Sequence, residues 1–198
     1  MNLSSTLNSE IIRIFATILL PGAFTVVGIY LLVGCFQFEN AATLLAWTTK
    51  TAGIAGTHST LATVFFFIAT VGGGLIAETF GARFEYHICD WRGKAKCPDF
   101  IANWNKYLTL TFEKDPIGQK YLRYLHLHLK FELNFGCSII LLAFAIALLD
   151  CQFADVSFGL PLYTVMTVCG ALLLWEAIST SINLNSVRKQ LVDSYSKA

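Results

Sequence analysis

The chain is poor in charge. Of its 198 residues only 14% are charged and 55% are hydrophobic, whereas a soluble domain carries about a quarter charged residues. That shortage excludes an ordinary soluble globule, which would expose large apolar patches. Net charge is +1, so no global field marks a nucleic-acid binder and no direct nucleic-acid partner is expected. Residues 1–12 hold no Lys or Arg, and Glu10 adds a negative charge. A signal peptide needs a basic n-region, so a retained first helix is expected instead. The chain also lacks H-E-x-x-H, G-x-S-x-G, Walker A and G-x-G-x-x-G, and with them the chemistry those motifs carry. No internal repeat of the transporter kind is visible. A non-enzymatic protein with no cofactor is the expectation.

What is present is four long apolar runs, at 11–36, 60–80, 133–149 and 160–183. A helix needs about 20 residues to cross a hydrocarbon core of about 30 Å, and lipid tolerates no open backbone groups. The expected fold is therefore all-α. It is a single polytopic membrane domain over 1–198, with four transmembrane helices and a helical loop at 81–132 between the second and third. Leu32-Val33-Gly34-Cys35 has lipobox character, but the apolar run before it exceeds the roughly 7–15 residues of an h-region.

Basic residues set the expected orientation. Nine of the fourteen Lys and Arg lie between spans two and three: Arg83, Arg92, Lys94, Lys96, Lys106, Lys114, Lys120, Arg123 and Lys130. Arg13 opens span one, and Arg188, Lys189 and Lys197 follow span four. Only Lys50 falls in the first outer loop, and the loop at 150–159 has none. Cytoplasmic segments collect Lys and Arg. Both termini and the central loop are thus expected in the cytoplasm, from a bacterial inner membrane.

Several local signals refine the picture. Pro21-Gly22 should kink span one or let it flex, with packing preferred over a gating hinge. Gly72-Gly73-Gly74 in span two suits close helix packing more than a broken, ligand-binding helix. Residues 41–47 read as a short interfacial helix with Trp47 at headgroup level. In the central loop, 99–112 has Phe100, Trp104, Tyr107, Leu108 and Phe112 at helical spacing. That face is the candidate surface for a cytoplasmic partner, since Trp and Tyr are frequent hot spots. Packing against Tyr121, Tyr124 and Leu125 is its structural alternative. Asp115-Pro116 reads as the cap and first residue of a helix running directly into span three.

Two acids fall inside spans, Glu78 and Glu176. Intramembrane acids mark function by default. Thr70, Gly74, Glu78 and Gly81 form one stripe, and Glu176, Thr180 and Asn183 another; both should face the bundle interior. Arg13 lies at similar depth. An internal ion pair of Arg13 with one of the acids is preferred to an ion or proton path. His87, Cys89 and Cys97 do not carry the short Cys-x2–4-Cys spacing of a zinc site, so no metal is expected. Cys35 and Cys151 both fall at the outer face, which makes a disulfide geometrically possible.

Three stretches carry a resemblance. They are Glu78-Thr79-Phe80-Gly81-Ala82-Arg83-Phe84-Glu85, then Trp104-Asn105-Lys106-Tyr107-Leu108, and the run from Asp115-Pro116-Ile117-Gly118 through Lys130-Phe131-Glu132-Leu133. Over the middle third the chain resembles small uncharacterised bacterial proteins with four spans and one central cytoplasmic loop. In size and layout it is similar to membrane subunits of anti-phage systems such as Kiwa. The aromatic, basic, helical central loop joined to span three points to a membrane component that senses a change at the bilayer or docks a cytoplasmic partner, expected as a homo-oligomer. A small oligomeric channel or pore-forming effector is the alternative, motivated by the Glu78 and Glu176 stripes.

Overall fold

The computed structural model describes residues 11–89, 100–109, 117–153 and 159–195. Every element among them is helical. Helix α1 spans Ile11–Gln37, α2 Ala41–Thr57, α3 Ser59–Phe84, α4 Phe100–Thr109, α5 Ile117–Gln152 and α6 Leu160–Tyr195. Four of these, α1, α3, α5 and α6, are long and apolar enough to cross a membrane. The chain is an all-helical polytopic membrane protein. We call the end of the bundle that holds residues 11 and 195 the basal end.

Near its start helix α1 takes a π-helical turn at Phe15–Leu19, two residues before Pro21. Proline has no N–H, so the carbonyl four residues back, at Thr17, loses its donor. A wide turn beside a proline is one of the few causes of a bent helix. Pro21 and Gly22 are both buried, as the packing expectation required.

Helix α2 is longer than the interfacial helix expected over 41–47. Asn40 caps it, its Oδ1 accepting from the Thr43 N–H at 2.9 Å. It is held at its first turns only: Leu44 is buried, and Trp47 stacks on Tyr30 of α1 at 4.4 Å between ring centroids. Cys35 is buried in the cluster beside Leu44, Leu149 and Phe153, and Cys151 is exposed. Both are free thiols.

Helices α5 and α6 are each 36 residues, about 54 Å at 1.5 Å per residue. Both outrun the hydrocarbon core. The segment 125–129, which also alternates like a strand, is helical, and α5 continues from 117 into the third span without a break. The capping pair Asp115-Pro116 lies outside the described residues. The residues after span four are helix as well, through Tyr195. At the start of α6, Gly159 takes a left-handed backbone, φ 84°, which glycine alone adopts without strain. Its carbonyl then accepts from the Leu162 N–H at 3.0 Å.

Close approach of backbones sets the packing. A Cβ on Gly22 would strike the Thr70 carbonyl of α3, and one on Gly74 the Ile18 carbonyl of α1. A Cβ on Gly170 would lie 2.6 Å from Ile140 Cγ1, and Gly136 faces the Gly170 carbonyl. Small residues at helix crossings are how membrane helices gain dispersion contact without a hydrophobic drive. Helix α5 packs against α6, α1 and α3; α1 also packs on α3, and α4 on α6. The apolar window of α5 is 61% buried, against 33% for α1 and 22% each for α3 and α6. The fold is a hub helix with three others around it.

Candidate functional site

The hub carries polar residues on opposite faces. Glu132 and Asn134 are each 1% exposed, and two residues on a helix point about 200° apart. Only a helix buried all round can hide both.

Asn134 faces α1. Its Nδ2 donates to the Thr17 carbonyl at 2.9 Å, the group that Pro21 leaves without a donor. The other side of the amide packs on α3, where a Cβ on Gly81 would lie 2.5 Å from Asn134 Oδ1. One turn further, the Ser138 hydroxyl lies 2.9 Å from Thr25 Oγ1 of α1, and Ser138 also donates to the Asn134 carbonyl at 2.7 Å. At the opposite end of the bundle Gln152 Nε2 donates to the Cys35 carbonyl at 2.8 Å and to Phe38 at 3.2 Å. These bonds run in the same order along both helices, so α1 and α5 are parallel. Beside Thr25 and Ser138, a cavity of about 340 Å³ extends to Cys137 and Phe144.

Glu132 faces the other way, toward α6. Its Oε1 lies 2.9 Å from His128 Nδ1, one turn nearer the basal end. The carboxylate is closed from solvent while His128 is about half exposed. Thr180 and Glu176 of α6 stand close enough to act on it electrostatically. A buried carboxylate needs a donor or an opposite charge, which Glu176 is not, because a charge left alone in low dielectric is costly. His128 Nδ1 stands within hydrogen-bond distance of the Glu132 carboxylate. Further down α6, Arg188 Nη1 donates to Asn185 Oδ1 at 3.1 Å, both buried. Lys130 of α5 pairs with Glu85, just past α3, at 3.5 Å.

The basal end holds a second small core. Leu122 and Leu125 of α5 meet Leu184 and Leu191 of α6, with Tyr107 of α4 and Val187 packed against them. Tyr107 thus faces inward, onto this cluster. Tyr121 and Tyr124 point away and are exposed, 6.5 Å apart between centroids, with His128 5.9 Å beyond Tyr124. Leu108 is exposed too. Phe112 and the side chains of Phe100 and Trp104 lie outside the described residues.

The three charged residues expected as one buried cluster are placed otherwise. Arg13 and Glu176 are exposed, and Glu78 is half-buried. In the span-two stripe, Thr70, Gly74 and Gly81 are buried, but Glu78 lines an open groove of about 500 Å³ with Leu75, Thr79, Ala82, Arg83 and Tyr86. In the span-four stripe Thr180 is buried while Glu176 and Asn183 are exposed. Among the described residues the fully buried acid is Glu132, which hydropathy places at the edge of span three. The signal for it was available: His128 with Glu132 and Asn134 with Ser138 are both i,i+4 polar pairs at the mouth of an apolar run.

No protein-family model, no curated protein and no solved structure matches the chain.

Proposed function

We propose that this is a non-enzymatic membrane component whose basal end lies in the cytoplasm and docks a protein partner there. The basic residues support that side, because Lys and Arg collect in cytoplasmic segments. One observation carries the docking: Tyr121 and Tyr124 are exposed on a helix continuous with the hub. They precede Leu133, where the apolar run begins, by 12 and 9 residues, which puts them about 18 and 14 Å of helix below a hydrocarbon edge drawn at that residue. The headgroup layer is only about 5–8 Å deep on each side, so these rings stand beyond an aromatic belt. Exposed tyrosines off the membrane are suited to a protein surface. A partner bound there is coupled by one rigid helix to the buried Glu132 and Asn134, which is the arrangement that sensing at the bilayer would need. The resemblance in size and layout to anti-phage membrane subunits makes phage challenge the first condition to examine.

The test is purification from native membranes, with and without phage, of the wild type and of Tyr121→Ala/Tyr124→Ala. The expected result is a stoichiometric soluble polypeptide that the double variant loses while its thermal unfolding is unchanged. Identical co-purifying proteins in both would overturn the docking surface. Ion flux from liposomes holding the purified chain alone would favour the channel.

A further inference from the structure

The face of α3 opposite the one packed on α1 and α5 has an unusual pattern. Ile68, Gly72, Leu75, Thr79 and Ala82 follow one another at alternating spacings of four and three residues, and Tyr86 follows four residues on, in the π-helical turn Glu85–Cys89 that continues α3. This is the a/d seam of a left-handed two-helix contact. Five of the six are exposed, and a Cβ on Gly72 would meet nothing within 4 Å. Gly73 and Gly74 have their explanation in α1. Gly72 has none among the described residues, although a glycine inside a helix costs about 1 kcal/mol relative to alanine.

Polar residues make this face ill-suited to lipid. Glu78 and Thr79 lie less than a turn deeper than Gly81, which is level with Leu133 and Asn134 at the edge of the third span. Hydrocarbon there would meet a half-buried carboxylate, and intramembrane acids turn toward protein. Glu78 and Arg83 flank the seam on its two sides as g and the following e. Five residues apart on one helix, they do not face each other. Across a parallel two-helix seam, g of one helix and the next e of the other are the positions that pair.

We propose that α3 is a homodimerisation helix. Two copies pack α3 against α3 in parallel about a two-fold axis along the membrane normal. Glu78 of each copy pairs with Arg83 of the partner subunit, and Gly72 and Ala82 allow close approach at the seam. The charges choose a second copy over an unrelated helix, because the two-fold operation makes Glu78 and Arg83 complementary to themselves. Isologous contacts of this kind close at two subunits. The inference goes beyond the docking surface and stands on a different helix.

Disulfide cross-linking in membranes tests it. Single cysteines are placed at Phe65, Phe66, Phe67 and Ile68, in a chain whose six native cysteines are replaced by serine. All four positions are exposed in the single chain, so exposure alone does not separate them. Phe65 and Ile68 fall on the seam; Phe66 and Phe67 do not. Strong dimer bands at Phe65→Cys and Ile68→Cys with weak ones at Phe66→Cys and Phe67→Cys are expected. Equal bands at all four, or none, would overturn the proposal. A second measurement keeps every native cysteine and reads the dimer fraction in nanodiscs by native mass spectrometry. Glu78→Arg or Arg83→Glu should each lower dimer formation about fivefold, and the double swap should restore it. A double swap no better than the single changes would sink the pairing, and a monomer in the wild type would sink the dimer.

Discussion

Helices α3 and α5 have nearly the same mean hydropathy, 2.0 and 2.1, yet 22% of the apolar window of α3 is buried against 61% for α5. Hydropathy measures whether a segment prefers lipid to water. It says nothing about whether its neighbours are lipid or protein. What separates the two is where their polar side chains point. The hub hides Glu132, Asn134 and Ser138 on several faces. Helix α3 hides Thr70 and three glycines on one face and leaves Phe66, Leu75 and Phe80 outside. In a membrane the buried helix is the one with more hydrogen bonds to offer, because apolar contact gains little over lipid.

Five substitutions probe that contrast. Gly22→Ala should do the most harm, since its new methyl group meets the backbone of α3 at Thr70, which cannot rotate aside. A loss of about 3 kcal/mol is expected from such overpacking, read as thermal unfolding in detergent. Asn134→Leu makes the hub more apolar and should still cost about 1–2 kcal/mol, because the Thr17 carbonyl is left without a donor. A gain in stability from that change would break the contrast outright. Ser138→Ala should cost about 0.6 kcal/mol, a typical value for a hydrogen bond between membrane helices. Adding Thr25→Val should cost little more, since the two hydroxyls satisfy each other and the pair is lost only once. Phe67→Ala, on the bare side of α3, should stay within about 0.5 kcal/mol of wild type. A large loss there would mean that α3 is covered in the unfolding measurement.

The four spans were legible because length and apolarity answer a one-dimensional question. The packing of Pro21-Gly22 and of Gly73 and Gly74 was legible too, since small residues in a membrane helix have few other uses. The facing of Glu78 was not. A stripe that includes Thr70, Gly74 and Gly81 reads as inward, and Glu78 lies only at its margin, where a few tens of degrees decide between core and surface. Glu132 was passed over because it sits just before the apolar run, and the hub continues below the span for several turns. The helix through 184–195 was hidden for a similar reason: its polar surface reads as a tail until Leu184 and Leu191 meet Leu122 and Leu125. In each case the missing information was the identity of the neighbouring helix.

The bond between Asn134 and Thr17 joins residues 117 positions apart, and that separation has a consequence in time. Synthesis proceeds at about 5–20 residues per second, so Asn134 is made roughly 6–23 s after Thr17. For that interval the carbonyl beside Pro21 has no Asn134 to meet, whatever the first helix does in the bilayer. Helix α1 enters the membrane early with a flaw in its own ladder. It becomes a finished part of the protein only when the third span arrives beside it.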